Sequence, residues 1–286
     1  MFHKLYAMKQ ILLLTDFSAN SKNAITYALQ LFEKQACHFL ILHIPTKSIY
    51  STSDLMTIGN NSIYDSLVKK AEKKLDKFVK TLEATSNNKH ATFEAIVDYD
   101  MLTDSVNQII KSKKIDLIVM GTNGVTGAKE VVFGSNTINV IRKVACTTLV
   151  IPKGFKYKTP KELFLPLDVY DSLNSESFLK LKRFAKKFNA SFNIMRIIEN
   201  SVVSETEKTD REHINTHLND ITHAYLLVKN IRLDQAINQY LETHEKMDML
   251  TLLVQKESAF ERFLTGSDTK KISQNLKVPL LILHSQ

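Results

Sequence analysis

Short runs of apolar and β-branched residues alternate along this chain with longer stretches whose apolar side chains recur every three or four positions. That alternation is expected of βαβ units built around a parallel sheet. In the first half the strand-like runs are Ile11 to Thr15, Phe39 to Ile44, Thr92 to Val97, Leu117 to Gly121 and Thr148 to Pro152, each bounded by polar or turn residues. The connecting stretches place Ile25, Ala28, Leu29 and Phe32 on one helical face, Leu67, Ala71, Leu75, Phe78 and Leu82 on a second, and Leu102, Val106, Ile109 and Ile110 on a third. A shorter helix is predicted after Gly134. Helices on alternating connections cover both faces of a parallel sheet, and right-handed crossovers leave few topologies.

The polar stretch Lys153 to Pro160, with its Gly and Pro, reads as a linker. Beyond it the pattern restarts, with strands predicted at Leu163 to Leu167, Phe192 to Ile198, Ala224 to Val228, Met249 to Val254 and Pro279 to Leu283, and helices including Ser175 to Lys186 and Leu233 to His244. Two domains follow, residues 1–155 and 161–286. Asp116 with its apolar run and Gly134-Ser135 recur as Asp248 with its run and Gly266-Ser267, at one shared offset of 132 positions. A gap-free offset favours an internal repeat.

The length of 286 residues suits two such domains, and an apolar fraction of 44% with 24% charged residues excludes a disordered or coiled-coil chain. Cys37 and Cys146 are too few for a disulfide framework and lack structural-zinc spacing, so a reducing compartment is expected. Met1 to Gln10 has no apolar core of signal-peptide length, and no run approaches the ~20 apolar residues of a membrane span. A cytoplasmic protein without a membrane partner is the expectation. The formal charge of +8 raises the question of nucleic acid, but its densest stretch, Lys69 to Lys80, interleaves Leu75, Phe78 and Val79 at helical spacing and reads as a solvated helix face. No nucleic-acid partner is expected.

Glycine is scarce, yet four of the seven glycines, Gly121, Gly124, Gly127 and Gly134, fall within 14 residues between a predicted strand and a predicted helix. Glycines let the backbone approach a ligand closely, so such a loop can aim several N–H groups at one anion while the helix start adds partial positive charge. Phosphate is the obvious guest. In a doubly wound sheet, ligands lie beyond the strand carboxyl ends where the strand order reverses, and Asp16 ends the first strand as Gly121 ends the fourth. Capping of the next helix, shared with Ser18, is the competing role for Asp16.

Thr15-Asp16-Phe17-Ser18 after the first strand, with Gly-x2-Gly-x9-Gly-Ser from Gly121 to Ser135, resembles the universal stress protein family. The similarity spans residues 8 to 152, including Leu42-His43-Ile44 and the closing Thr147 to Pro152. The resemblance implies an α/β fold of two tandem doubly wound, parallel, five-stranded sheets, Rossmann-like and of the adenine nucleotide alpha hydrolase type, packed as a pseudo-dimer through Thr148 to Ile151 and Pro279 to Leu283. It also implies an adenine nucleotide (ATP, ADP or AMP, with magnesium or manganese) held by Thr15, Asp16, Ile44, Met120, Gly121, Gly124, Gly134, Ser135, Asn136 and Thr137. Asp16 would contact the ribose or a phosphate-bound metal, Ile44 and Met120 the adenine region, and Gly121, Gly124, Gly134, Ser135, Asn136 and Thr137 the phosphates. Asn136 departs from the small apolar residue usual after the Gly-Ser pair.

In the second half the offset places Leu253 at Gly121, Lys256 at Gly124 and Glu257 at Val125, keeping only Gly266-Ser267. Side chains at the lost glycines fill the phosphate space, and Asp168 after the strand Leu163 to Leu167 is expected to cap the next helix. There is no Gly-x4-Gly-Lys loop and no Gly-x-Gly-x-x-Gly fingerprint. His213, His217 and His223 read as a solvated face, and His43 as a core histidine. With no general base identified, binding is the economical function. The favoured reading is a nucleotide-responsive regulatory protein with an unidentified protein partner and, as a further option, homodimers. A scaffold without nucleotide, and slow ATP hydrolysis or autophosphorylation at Ser135 or Thr137, are the alternatives.

Overall fold

The computed structural model describes residues 8–45, 61–122, 133–168, 171–198, 206–244, 246–254 and 276–284. Gly124, Gly127, Lys256, Glu257, Gly266, Ser267, the side chain of Leu67 and most of the segment from Pro45 to Ile63 lie outside the described residues. The backbone groups into two compact units, Met1–Met120 and Gly121–Gln286.

The first unit runs β1 (Lys9–Leu14), α1 (Ala19–Leu31), β2 (Cys37–His43), α2 (Asn61–Thr85), β3 (Ala91–Val97), α3 (Leu102–Lys113) and β4 (Leu117–Gly121, whose last residue opens the second unit). Its strands order β3-β2-β1-β4, all parallel, with Leu14 opposite Leu42 and Ile11 opposite Leu117. Ile11 to Leu13 and Phe39 to Ile41 are wholly buried, as expected of a parallel strand covered on both faces. The face that α1 buries comprises Ala24, Ile25, Tyr27, Ala28 and Leu31, rotated slightly from the expected stripe, and Leu29 is only half-buried. On α2, Leu75, Val79 and Leu82 are buried while the half-buried Phe78 meets Phe17 edge-on at 5.8 Å. In α3, Val106 and Ile109 are buried, and the helix stops where Lys114 turns left-handed (φ 52°), its N–H returning to Ile110 O.

The second unit comprises α4 (Ser135–Lys143), β5 (Thr148–Ile151), β6 (Glu162–Leu167), α5 (Glu176–Phe188), β7 (Ser191–Ile198), α6 (Thr206–His217), β8 (His223–Lys229), α7 (Leu233–Thr243), β9 (Met249–Val254) and β10 (Leu280–His284). Its strand order is β5-β10-β9-β6-β7-β8, and the parallel set β8-β7-β6-β9 repeats the β3-β2-β1-β4 of the first unit strand for strand. Register repeats as well. Leu163 opposes Met249 as Ile11 opposes Leu117, which preserves the offset of 132 between Leu117 and Met249. β5 joins β10 antiparallel, Val150 opposite Leu280, through the two segments that the family resemblance singles out. After β5 the chain turns at Pro152 to Phe155, with Phe155 N–H donating to Pro152 O (3.1 Å). Gly154 takes the third position at φ +72°, where a side chain would be strained.

The repeated aspartates explain part of this order. Asp116 Oδ2 accepts the N–H of Gln10 (2.8 Å), and Asp116 N–H donates to Gln10 O (2.9 Å), pinning the start of β1 to the start of β4. Asp248 does the same for β6, accepting N–H groups of Lys161 (2.8 Å) and Glu162 (3.0 Å) and donating its own to Glu162 O (3.0 Å). Asp248 is 3% exposed and ion-paired with Lys158 of the linker at 2.6 Å, which holds the Lys158 amine above its ordinary pKa. Removing this carboxylate orphans two backbone donors. Asp248→Ala is therefore expected to lower stability by about 2–4 kcal/mol, and Asp116→Ala, at a more open site, by about 1 kcal/mol. Urea unfolding of the two variants beside the parent protein checks this order.

Candidate functional site

In the first unit the chain moves outward from β1 through β2 to β3 and then returns to β4 on the other side of β1. Loops that leave a sheet in opposite directions open a crevice beyond the strand carboxyl ends. The structure brings four predicted residues to this end: Thr15 and Asp16 follow β1, Ile44 follows β2, and Met120 lies next to the end of β4.

The turn after β1 is tightly specified. Thr15 N–H continues the ladder to Leu42 O (2.9 Å), and the buried Thr15 hydroxyl accepts Phe17 N–H (3.0 Å) and contacts Ser21 Oγ (3.2 Å). Phe17 has φ 64°, an unusual conformation for a residue with a bulky side chain. Ser18, not Asp16, is the N-cap of α1, its Oγ accepting Ser21 N–H at 3.1 Å. Asp16 accepts Ser18 N–H through Oδ1 (2.9 Å), so its carboxylate shapes the turn while standing exposed beyond the strand. Partial burial raises the Asp16 pKa, but hydrogen bonds from the Ser18 side chain and backbone and from the Ser21 side chain outweigh it, leaving the carboxyl below its ordinary value. It is an anion at neutral pH.

His43 closes β2. Its Nδ1 lies 2.9 Å from Thr15 O, and since a carbonyl only accepts, Nδ1 carries the proton and the neutral ring leaves Nε2 bare. Burial, aided by nearby Lys74, holds His43 below the usual imidazole range despite the opposing pull of Thr15 O and Asp16. The ring of Phe17 sits 4.4 Å from it, and Lys74 Nζ of α2 lies 4.0 Å over Phe17. Asn20 was not singled out by sequence pattern. Both its side-chain amide atoms are buried without a partner among the described residues, at the first turn of α1, so a polar guest fits there.

The remaining predicted residues belong to the second unit. Gly134 is the N-cap of α4 and offers no side-chain acceptor, so the first turn of α4 has no capping side chain to compete with an anion. Ser135 and Asn136 are exposed on that turn. Thr137 is buried, its hydroxyl donating to Gly121 O at 3.3 Å, which ties the helix start to the end of β4. Beside Gly121, the fully buried Thr122 hydroxyl finds no partner among the described residues. Sequence reasoning passed over Thr122 because a threonine between the glycines of a polar loop carries no signal of its burial.

The second unit has its own strand-order reversal between β6 and β9, and there Asp168 does not cap the following helix. Ser175 does, because a turn separates β6 from α5, and Asp168 is buried in that turn. Its N–H donates to Asp171 Oδ2 (2.9 Å), while Asp171 N–H reaches Asp168 O (3.3 Å). Arg196, buried on β7, donates through Nη1 to Asp168 O and holds Asp210 of α6 through Nε (2.9 Å) and Nη2 (2.7 Å); Tyr225 donates to Asp210 at 2.7 Å. Burial, then the neighbouring Asp168, pushes Asp171 up to about 7, and its Oδ1 has no partner among the described residues. His213 and His217 lie on α6 with rings 4.3 Å apart, and His223 begins β8; no group of three or more metal-ligating side chains occurs among the described residues. No helix among them is long and apolar enough to cross a membrane.

The family model described as "Universal stress protein family" matches residues 8–152. The chain belongs to the universal stress protein family. A universal stress protein of Methanocaldococcus jannaschii is 24% identical over 158 residues, covering 51% of this chain and 95% of the relative. Universal stress protein YxiE of Bacillus subtilis is 26% identical over 144 residues, covering 50% and 97%. A universal stress protein structure from Archaeoglobus fulgidus covers 96% of both chains at 16% identity with a TM-score of 0.68, so the likeness of fold extends through both halves. The curated relatives are thus about half this chain's length, consistent with tandem duplication of the family domain.

The Asp171 carboxyl gives a test of the second crevice. Its folded pKa of about 7 exceeds the ordinary 3.8, so the native state keeps a proton that the unfolded chain releases. Stability should therefore fall as pH rises from about 4 through about 7 and level off above. Asp171→Asn should flatten that limb and be more stable than the parent at pH 8 by on the order of 2 kcal/mol, as read by denaturant unfolding across the range.

Proposed function

We propose that this universal stress protein is a regulatory protein that binds an adenine nucleotide, ATP or AMP with a divalent metal, through its first half (residues 1–155), while the second half (161–286) serves as partner and scaffold. The observation that carries the proposal is the glycine pattern from Gly121 to Ser135, followed by a helix whose capping residue has no side chain. A helix start alone contributes only about 0.3–1 kcal/mol toward an exposed anion. Several loop N–H groups and a base pocket must add to it.

The chain's own residues suit the group. Asp16 offers an ionised carboxylate that suits a ribose hydroxyl or a phosphate-bound cation, and the buried Asn20 amide has polar atoms to spare. Ile44 and the buried Met120 offer apolar surface for the adenine, and Gly121, Gly124, Gly134, Ser135, Asn136 and Thr137 are the residues assigned to phosphate. The bound nucleotide would supply charge and shape at a surface that a partner reads. In the second half the corresponding crevice already carries the Arg196, Asp210 and Tyr225 network, which supports a single competent site.

Native mass spectrometry with Mg–ATP, followed by acid release and identification of the nucleotide, tests this reading. A single nucleotide per chain is expected, and Gly124→Lys, which copies Lys256 of the second half, should abolish binding while leaving the circular dichroism spectrum unchanged. Binding of two nucleotides per chain, or undiminished affinity in the variant, overturns the assignment. No binding by the folded parent protein makes the scaffold reading the better one.

A further inference from the structure

The two units solve one local problem with different side chains. By strand register, Leu14 opposes Leu42 and Pro166 opposes Met195, so His43 and Arg196 hold the same position, one residue further along β2 and β7. Each reaches a carbonyl just past the end of the neighbouring first strand: His43 the one directly opposite, Thr15 O, and Arg196 that of Asp168, one residue beyond its opposite number Leu167. A basic donor thus stands at this register position in both copies, on acceptors one residue apart.

In the first unit the consequences converge on Asp16. Thr15 is held from three sides, by Leu42 O on its N–H, His43 on its carbonyl and Ser21 on its hydroxyl. The N–H groups of Phe17 and Ser18 are committed to Thr15 Oγ1 and Asp16 Oδ1. Phe17 adopts a left-handed conformation that is strained for a residue with a side chain, and its ring packs against His43 and Phe78 beneath Lys74. The imidazole thus serves both as hydrogen-bond donor to the strand end and as the surface on which the strained residue rests.

We infer that His43 is a positioning residue for the nucleotide site: by donating Nδ1–H to Thr15 O and supporting the Phe17 ring, it fixes the turn that sets the direction of the Asp16 carboxylate. The inference rests on the nucleotide reading above for what Asp16 contacts, but the turn itself can be tested without ligand. The assigned role of His43 runs through the turn and not through contact with the nucleotide. The His43 donor acts in either protonation state, because protonation adds a hydrogen at Nε2 and leaves Nδ1–H in place; the charges that act on the ring are Lys74 on α2 and Asp16 after β1.

The experiment pairs His43→Leu, which keeps bulk and loses the donor, with His43→Asn, whose side-chain amide replaces Nδ1–H. Residue-resolved hydrogen exchange on the ligand-free protein and Mg–ATP titration by calorimetry are the two readouts. His43→Leu should speed exchange at the Phe17 and Ser18 amides about tenfold and weaken Mg–ATP about tenfold, the scale of one lost hydrogen bond. The β1 amides of Leu12 and Leu13 should keep their protection, and His43→Asn should recover most of both effects. Unchanged exchange at Phe17 and Ser18 in His43→Leu overturns the inference, as does unchanged affinity in that variant. If the parent protein binds no Mg–ATP, the nucleotide reading fails by itself, and the exchange arm still decides whether His43 sets the turn.

Discussion

A parallel strand buried on both faces has its polar backbone groups satisfied by neighbours only as far as the ladder runs, and at each end the next groups must find other partners or stay in water. This constraint governs both ends of β1 and β6. At the entering end, Asp116 and Asp248 take up the leading N–H groups and return their own N–H to the same strand. At the leaving end, His43 and Arg196 take carbonyls just past the strands. The strands are held by side chains from their neighbours, and the turns beyond them, which carry Asp16 and Asp168, inherit their geometry from those bonds.

The copies diverge in what they do with that geometry. His43 is near neutral, half-buried and ringed by Phe17, so the turn after β1 leaves the Asp16 carboxylate exposed. Arg196 carries a permanent charge into a buried position, and a buried charge needs a partner. Asp210 of α6 supplies it with two hydrogen bonds, Tyr225 braces Asp210, and Asp171 is left in an environment that favours its protonated form. One substitution of chemistry at a shared register position thus accompanies the change from an open strand end to one knitted to a helix. That agrees with the loss in the second half of the residues matching Gly121 and Gly124, which now read Leu253 and Lys256.

Much of this architecture was legible in the order of the residues. The ten strands among the described residues lie where apolar runs place them, and the inner ones are continuously apolar because they are covered on both faces. Asp116 and Asp248 stood out as a repeat, since an acidic residue before an apolar run survives in sequence as a fixed offset. The glycine cluster and the Thr15 to Ser18 motif marked the candidate site for the same reason. Each is a local pattern carried by adjacent residues.

What the sequence alone determined, then, is the alternation of elements, the tandem repeat and the family. Tertiary structure decided the roles that depend on residues distant along the chain. It made Ser18 and Ser175 the caps where Asp16 and Asp168 were candidates, gave His43 and Arg196 carbonyls past the strand ends, and left Asn20 and Thr122 with buried polar atoms lacking partners among the described residues. It also placed β5 in the second unit, beside the β10 that the family resemblance had named as its partner. The physical reason is that helix and strand periodicity record which face of an element is buried. A hydrogen bond between residues 28 positions apart depends on which strands become neighbours and in which register, and no local pattern encodes that.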